Sequence, residues 1–382
     1  MRVGQAHSKK RWPRKKTPAG RVPKQKDQRL PVIAAVHEGC SLRVLLVLGS
    51  GIPIPPPRWG GVENLIWQQK CALERAGHEA VVLNTLVESG RALRAVRKLW
   101  VILQARPWQY DVVHLHLDSM TAYWNTVSRF CPFALVVSTH YGYAAFPEKW
   151  YGPYRRTFKA MSRAPYLILI TGEIKAMFKK LGCRAQMFVL PNGINCAEFR
   201  WAPHSTKQAI CLGRIEPRKK QALLAKSLNS HHVQCDFAGP IEPETGFEVN
   251  NRNTHYIGEW SRDQVRSELT EYACLVLLSD GEGHAGVVSE ALAAGLSLVL
   301  SSEASHNLDL SREWIYVVDR DKDDLGSVIE TAVQANSKYR AEIREYCFQN
   351  FDWQVIMPHY ITLLQGILPK RNGNPQHSVS EK

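Results

Sequence analysis

No stretch of this sequence approaches the roughly twenty consecutive apolar residues needed to span a bilayer, so no membrane-crossing helix is expected. Leu30–Val36 is the apolar run nearest the start, but Pro31 interrupts it and no small-residue cleavage pattern follows, so it fits a secretory signal poorly. Cys-x-x-Cys pairs are missing too. The nine cysteines lie scattered from Cys40 to Cys347, without histidines at zinc-ligand spacing. They read as small buried apolar residues of a reducing compartment, and the expected location is the cytoplasm. No metal-ligand cluster of the Asp-x-Asp kind is read at a strand end, so neither a metal nor another cofactor is expected.

Acidic residues are scarce near the N-terminus. The formal charge of +14 by itself points to polyanionic partners. Met1–Arg29, however, holds eleven Lys or Arg against the single Asp27, so most of the surplus sits in one segment. With Pro13, Pro18 and Pro23 and almost no aliphatic residues, residues 1–40 cannot bury enough surface to offset the entropy of ordering. They are expected to form a basic disordered tail, either an arm for phosphates and lipid head groups or an upstream extension without function. The remaining body is only mildly basic, and nucleic acid is not an expected partner.

From Leu42 onward one pattern repeats: a short β-branched or Leu-rich run, a loop with Gly or Pro, then an amphipathic segment. Such alternation predicts βαβ units and parallel sheets. The first series of strands is expected at Val44–Leu48, Ala80–Leu83, Val112–Leu115, Leu135–Val137, Leu167–Ile170 and Phe188–Leu190. A second is expected at Ala209–Leu212, Val233–Phe237, Leu275–Leu278, Leu298–Leu300 and Tyr316–Val318. A helix should run from near Gly61 to a cap at Gly77, and Asp323–Ile367 reads as consecutive helices. The fold class is therefore α/β, two doubly wound Rossmann-like domains facing a cleft. Their expected bounds are 41–195 and 196–350, with a helix at 351–368 packing back on the first domain and a polar tail at 369–382. Ligands of such sheets bind beyond the carboxyl ends of the strands.

The most distinctive stretch, DGEGHAGVVSEALAAG from Asp280 to Gly295, is a Gly-rich loop after a buried strand, opening a helix near Val287. Free backbone N–H groups and the positive dipole end there suit a phosphate or sugar hydroxyls. Glu282 and Glu290 can accept hydrogen bonds from diols, one toward a sugar and one toward a ribose. This segment resembles the Glu-x7-Glu signature of glycosyltransferase family 4, and other family marks follow in the family's order. They are PPPRWGGVE at 55–63, DVVHLH at 111–116, STH at 138–140, LPNGIN at 190–195 and GRIEPRK at 213–219.

The resemblance covers approximately Leu42 to Leu368 and implies a GT-B fold, a nucleotide-sugar donor and retention of anomeric configuration. It implies that Arg214 and Lys219 bind the donor phosphates, cations that also suit a departing diphosphate. By sequence Lys220 competes with Lys219 for that role. Gly60 and Gly61 belong to a loop over the diphosphate, His140 to a contact with the transferred sugar. The catalytic set is thus His140, Glu282, Arg214 and Lys219. The donor-binding set adds Gly60, Gly61, Gly283, His284, Ala285, Gly286, Val287 and Glu290. His114 and His116 are read as alternating about a strand, so that at most one faces the cleft, and Asn192-Gly193 as a structural turn.

His284 stands where the family most often has Phe, Ala285 where it often has Gly, and Asn195 where Asp is common. An imidazole beside the sugar leaves donor identity open. The expected reaction is transfer from a UDP-sugar to a glycan or lipid-linked acceptor, as in cell-envelope or surface polysaccharide synthesis. A non-catalytic sugar-binding relative and a nucleotide-sugar epimerase are the alternatives. Cations mixed with aromatics at 91–102 and 149–159 suit an anionic membrane surface, so peripheral association with the inner face of the membrane is a further expectation.

Overall fold

The structure, a computed structural model, describes residues 41–56, 60–85, 96, 100, 102–140, 146–242 and 251–368. The expected tails at 1–40 and 369–382, and Arg91, Arg94, Arg97, Lys98, Leu99 and Val101, lie outside them.

Two six-stranded parallel sheets form the frame. The first comprises β1 (Arg43–Leu48), β2 (Glu79–Asn84), β3 (Val112–Leu115), β4 (Ala134–Thr139), β5 (Tyr166–Leu169) and β6 (Gln186–Val189). Its spatial order is β2-β1-β3-β4-β5-β6, so the winding reverses between β1 and β3. The second comprises β7 (Lys207–Leu212), β8 (Cys235–Ala238), β9 (Thr254–Tyr256), β10 (Tyr272–Leu277), β11 (Ser297–Ser301) and β12 (Ile315–Val318), ordered β12-β11-β10-β7-β8-β9. Here the reversal falls between β7 and β10. Such reversals open a crevice at the carboxyl ends of the flanking strands. They point to the ends of β1 and β3 in one sheet and of β7 and β10 in the other.

The central strands are buried on both faces, which explains their unbroken apolar runs. All six residues of β10 are buried. The expected strands are present with end shifts of a few residues, and the addition is β9. Only one of its three residues is buried, so an edge strand this short leaves no hydrophobic run to read.

Among the described residues the helices include α1 (Gly61–Arg75), α2 (Thr121–Val127), α3 (Pro147–Tyr151), α4 (Arg155–Met161), α5 (Gly172–Lys180), α6 (Gln221–Ser227), α7 (Arg262–Glu268), α8 (Gly286–Ala294), α9 (Leu325–Asn350) and α10 (Trp353–Ile367). Among the described residues, no helix is long and apolar enough to cross a membrane. α1 ends two residues before Gly77, whose φ of 84° is the left-handed turn that a glycine cap supplies. α10 lies against elements of the first sheet. Trp353 Nε1 donates to Gln68 Oε1 of α1 at 3.3 Å, and Tyr360 Oη sits 2.7 Å from His114 Nδ1.

α8 is fixed from behind. Gly295 ends it at a φ of 85°. Arg344 of α9 donates to the Ala293 carbonyl at 2.6 Å and Thr270 Oγ1 to that of Ala294 at 3.2 Å. Arg340, 1% exposed, satisfies its guanidinium on the carbonyls of Ala202, Tyr272, Thr270 and Ala294 and on Asn336 Oδ1. Burial lowers its pKa to about 10. Cations at a helix C-terminus complement the macrodipole, and they hold the opposite, amino end of α8 against the crevice.

Candidate active site

At the carboxyl end of β7 the chain turns through Gly213 at a φ of 137°, a conformation that favours glycine. A Cβ there would stand 2.9 Å from Lys219 Nζ, so the bare main chain makes room for the ammonium. Lys219, 14% exposed, also lies 4.0 Å from Glu282 Oε1. Lys220 turns away to Asp280 Oδ2 at 2.7 Å. This geometry separates two lysines that the sequence leaves equivalent. Arg214 differs from its expected pairing with Lys219: its side chain is 61% exposed and bonded to Glu242 at 3.1 Å, on the rim.

The cation nearest Glu282 is Arg218. Its Nη1 lies 3.0 Å from Glu282 Oε1 and 3.1 Å from Ser279 Oγ, and also donates to the Gly281 carbonyl, while Nη2 meets Glu216. Burial disfavours its charge, yet Glu282 and Glu216 together raise its pKa. Ser279 Oγ donates to Glu282 at 2.6 Å, so the loop from β10 to α8 is tied down before its glycines begin. Arg320, after β12, adds a bond to Asp280 at 2.7 Å. Neither Arg218 nor Arg320 was singled out by sequence, because the carboxylates they meet on the loop from β10 to α8 lie 64 and 40 residues away.

The amino end of α8 carries no side-chain cap, which leaves the first-turn N–H groups of Gly286 and Val287 for an external acceptor. Glu290 lies one turn on, and its carboxylate is held by Arg262 of α7, with both side chains largely shielded. Across from this loop stands the first sheet. A Cβ at Gly281 would meet Phe146 Cζ at 2.5 Å; one at Gly283 would meet Ile170 Cδ1 at 2.4 Å and the His140 carbonyl at 3.9 Å. At these points the facing loops already touch. α1 begins at Gly60 and Gly61, again without a side-chain cap, and a Cβ at Gly61 would point into open space.

His284 does not lie free beside a sugar. Its Nδ1 accepts from the Asn192 N–H at 3.1 Å, its Nε2 lies 3.2 Å from Ser289 Oγ, and its ring packs on Phe351. Burial lowers its pKa to about 4. The main chain of Gly283, His284 and Ala285 lines the loop while the imidazole locks it to the segment joining the sheets. Asn192 is thus more than a turn residue.

The alternation read for His114 and His116 is corrected: residues two apart share one face of a strand. Both rings are buried, with centroids 3.9 Å apart, and His116 Nδ1 lies 2.8 Å from His140 Nε2. His140 therefore sits at the end of a buried histidine stack. Trp150 is also buried, while Lys149, Tyr151, Arg155, Arg156 and Lys159 are exposed. The reading that finds no Asp-x-Asp at a strand end is corrected as well. Asp319 and Asp321 follow β12 in that spacing, and Asp319 is engaged by Lys322 and by the Asp321 N–H. Among the described residues, no group of three His, Cys, Asp or Glu could hold a metal ion.

Sequence models of two families match adjoining stretches of the chain: Glycosyltransferase Family 4 over residues 85–198 and Glycosyl transferases group 1 over residues 198–349. No curated protein is significantly similar in sequence. Among solved structures, sucrose-phosphate synthase from Thermosynechococcus elongatus superposes with a TM-score of 0.70 at 14% identity, covering 85% of this chain and 98% of its own. HepE from Anabaena, in complex with UDP and glucose, gives 0.66 at 16%, covering 86% and 100%. At such identities these structures establish the fold. With both family models matched, a GT-B pair of parallel sheets, and Glu282 and Glu290 on the loop and helix that follow β10, the chain belongs to glycosyltransferase family 4.

Proposed function

We propose that this transferase is a retaining enzyme that takes its sugar from a UDP-sugar and passes it to a glycan or lipid-linked acceptor, as in cell-envelope or surface polysaccharide synthesis. One observation carries the donor reading. Lys219, the uncapped amino end of α8 and Glu290 converge where the second sheet reverses its winding. A departing nucleoside diphosphate gains negative charge, and a fixed ammonium with aligned N–H groups stabilises it without reorganisation. Arg214 on the rim is free to swing from Glu242 onto the phosphates. Glu290 suits the ribose hydroxyls and Glu282 the sugar hydroxyls. Gly60 and Gly61 let the first-domain backbone approach the diphosphate. The family's front-face route needs no enzyme nucleophile: the leaving phosphate oxygen takes the acceptor proton.

UDP is favoured because similar folds have been solved with UDP-glucose (HepE) and with UDP-2-fluoro glucose (trehalose-6-phosphate synthase from E. coli). Lys219 and the α8 N–H groups meet the phosphate charge, so we expect transfer in the presence of chelator; a requirement for Mn²⁺ contradicts this.

For the acceptor side, exposed Trp100, Leu103, Trp108, Phe130 and Tyr151 occur with exposed Arg106, Arg129, Arg155 and Arg156. Aromatics beside cations suit an anionic bilayer surface, and we assign the protein a peripheral place there. Flotation with anionic vesicles checks this, and absence of binding refutes it. A thermal-shift screen of UDP-, GDP- and ADP-sugars tests the donor, since a ligand of the folded state raises its stability. Stabilisation by UDP-sugars is expected, and stabilisation confined to another base overturns the choice.

A further inference from the structure

Three consecutive basic residues leave the loop after β7 in three directions. Arg218 turns to Glu282 and Glu216, Lys219 lies between Gly213 and Glu282, and Lys220 turns to Asp280. The backbone at Lys220 sorts them. It stands at a φ of 58° and a ψ of 28°, immediately before α6. That left-handed conformation crowds the Cβ of any residue but glycine, and no side-chain cap at the start of α6 offsets it. The turn depends on a hold from outside.

Gln221, 2% exposed, fixes the first half of the loop: its amide accepts from the Glu216 N–H at 3.3 Å and donates to the Arg214 carbonyl at 2.9 Å. Asp280 fixes the second half. Its N–H donates to the Arg218 carbonyl at 2.9 Å, and its Oδ2 lies 2.7 Å from Lys220 Nζ, so one residue grips the chain on both sides of Lys219. Asp280 is anchored in turn by Arg320, whose Nη1 donates to Oδ1 at 2.7 Å and to the Leu278 carbonyl, just past β10, at 2.8 Å. We propose that Asp280 is a positioning residue for Lys219: by tying Lys220 into the left-handed turn, it keeps the Lys219 ammonium directed between Gly213 and Glu282.

The Asp280–Lys220 pair is about a third exposed on each side and contributes little as attraction between charges; it acts by fixing a direction. The role of Lys219 toward a diphosphate rests on the function proposed above, and the hold on its side chain does not.

Two measurements on the full chain test this. Carbon-13 NMR of lysine-labelled, ligand-free protein reads the Lys219 side chain directly, its signal being assigned by its loss in Lys219→Arg. The signal should move in Asp280→Ala, and also in Lys220→Ala, which keeps the Cβ and loses the tie. It should stay in Lys220→Gly, since glycine adopts the turn unaided, and adding Asp280→Ala to Lys220→Gly should no longer move it. Calorimetry with UDP should follow the same pattern. Affinity should fall about tenfold in Asp280→Ala and Lys220→Ala, and stay within about twofold of wild type in Lys220→Gly and the double variant. Removing a carboxylate near a phosphate site strengthens binding by charge alone, so a loss in Asp280→Ala separates direction from charge. A Lys219 signal unmoved by Asp280→Ala, or moved alike by Lys220→Ala and Lys220→Gly, overturns the proposal. So does an Asp280→Ala effect undiminished on Lys220→Gly. If Asp280→Ala does not fold, the comparison of alanine with glycine at 220 decides. Wild-type protein that fails to bind UDP counts against the donor reading instead, and the NMR still decides this one.

Discussion

Arg262 of α7 and Glu290 of α8 form an ion pair in which both side chains are mostly shielded from water. The pair holds a carboxylate in the position proposed for a ribose, and Glu290 in turn raises the pKa of Arg262. Breaking one side should leave a partly buried charge and destabilise the fold by about 2 kcal/mol, below the range for fully buried pairs. Arg262→Met should therefore lower the urea midpoint. The double variant with Glu290→Met should recover most of that loss while UDP-sugar affinity, read by calorimetry, stays down by about tenfold. Recovery of both would separate Glu290 from the donor.

Arg218 gathers four acceptors around the start of the loop from β10 to α8. A lysine cannot reproduce that fork, so Arg218→Lys should lower kcat by about tenfold or more while the circular dichroism spectrum is retained. A variant with unchanged kcat would show that the loop holds its shape without the guanidinium.

Two glycines make opposite predictions. Gly283→Ala drives a methyl into Ile170 Cδ1 and should cost about 1–3 kcal/mol by overpacking, partly restored by Ile170→Ala. Gly61→Ala meets nothing and should leave stability unchanged while weakening donor binding, if the backbone there approaches the diphosphate. A stable, fully binding Gly61→Ala protein would remove that loop from the site.

Buried neutral histidines make stability depend on pH. His114, His140 and His284 have folded pKa values of about 3, about 4 and about 4, against 6.5 unperturbed. Between those values the unfolded chain binds more protons. Their contribution is therefore complete above about pH 6.5 and is lost as pH falls toward 4, by about 1.4 kcal/mol per pH unit per ring. The depressed carboxylates Asp309, Asp319 and Asp324 titrate below 3.8 and leave this window to the histidines. Urea midpoints at about pH 7.5 and 5.5 should differ steeply, and a flat profile would place these rings in solvent.

Much of the fold was legible because burial on both faces writes continuous apolar runs, as in β10. The strand missed, β9, is an edge with one buried residue. In the site, Lys219, Glu282 and Glu290 could be found because they occupy fixed places in a local motif. Arg218, Arg262 and Arg320 could not, since a lone arginine in a basic chain does not reveal which distant carboxylate it meets. The histidine stack was misread for a simpler reason: the two-residue strand period puts His114 and His116 on one face, and their contacts with Ser138, His140 and Tyr360 exist only after folding.

The most direct measurement is a crystal structure of the protein with UDP-glucose. Diphosphate oxygens within about 3.2 Å of Lys219 Nζ and of the N–H groups of Gly286 and Val287, with the ribose at Glu290, are the expected result. A nucleotide bound away from these groups, with Lys219 still resting against Gly213 and Glu282, would contradict the account.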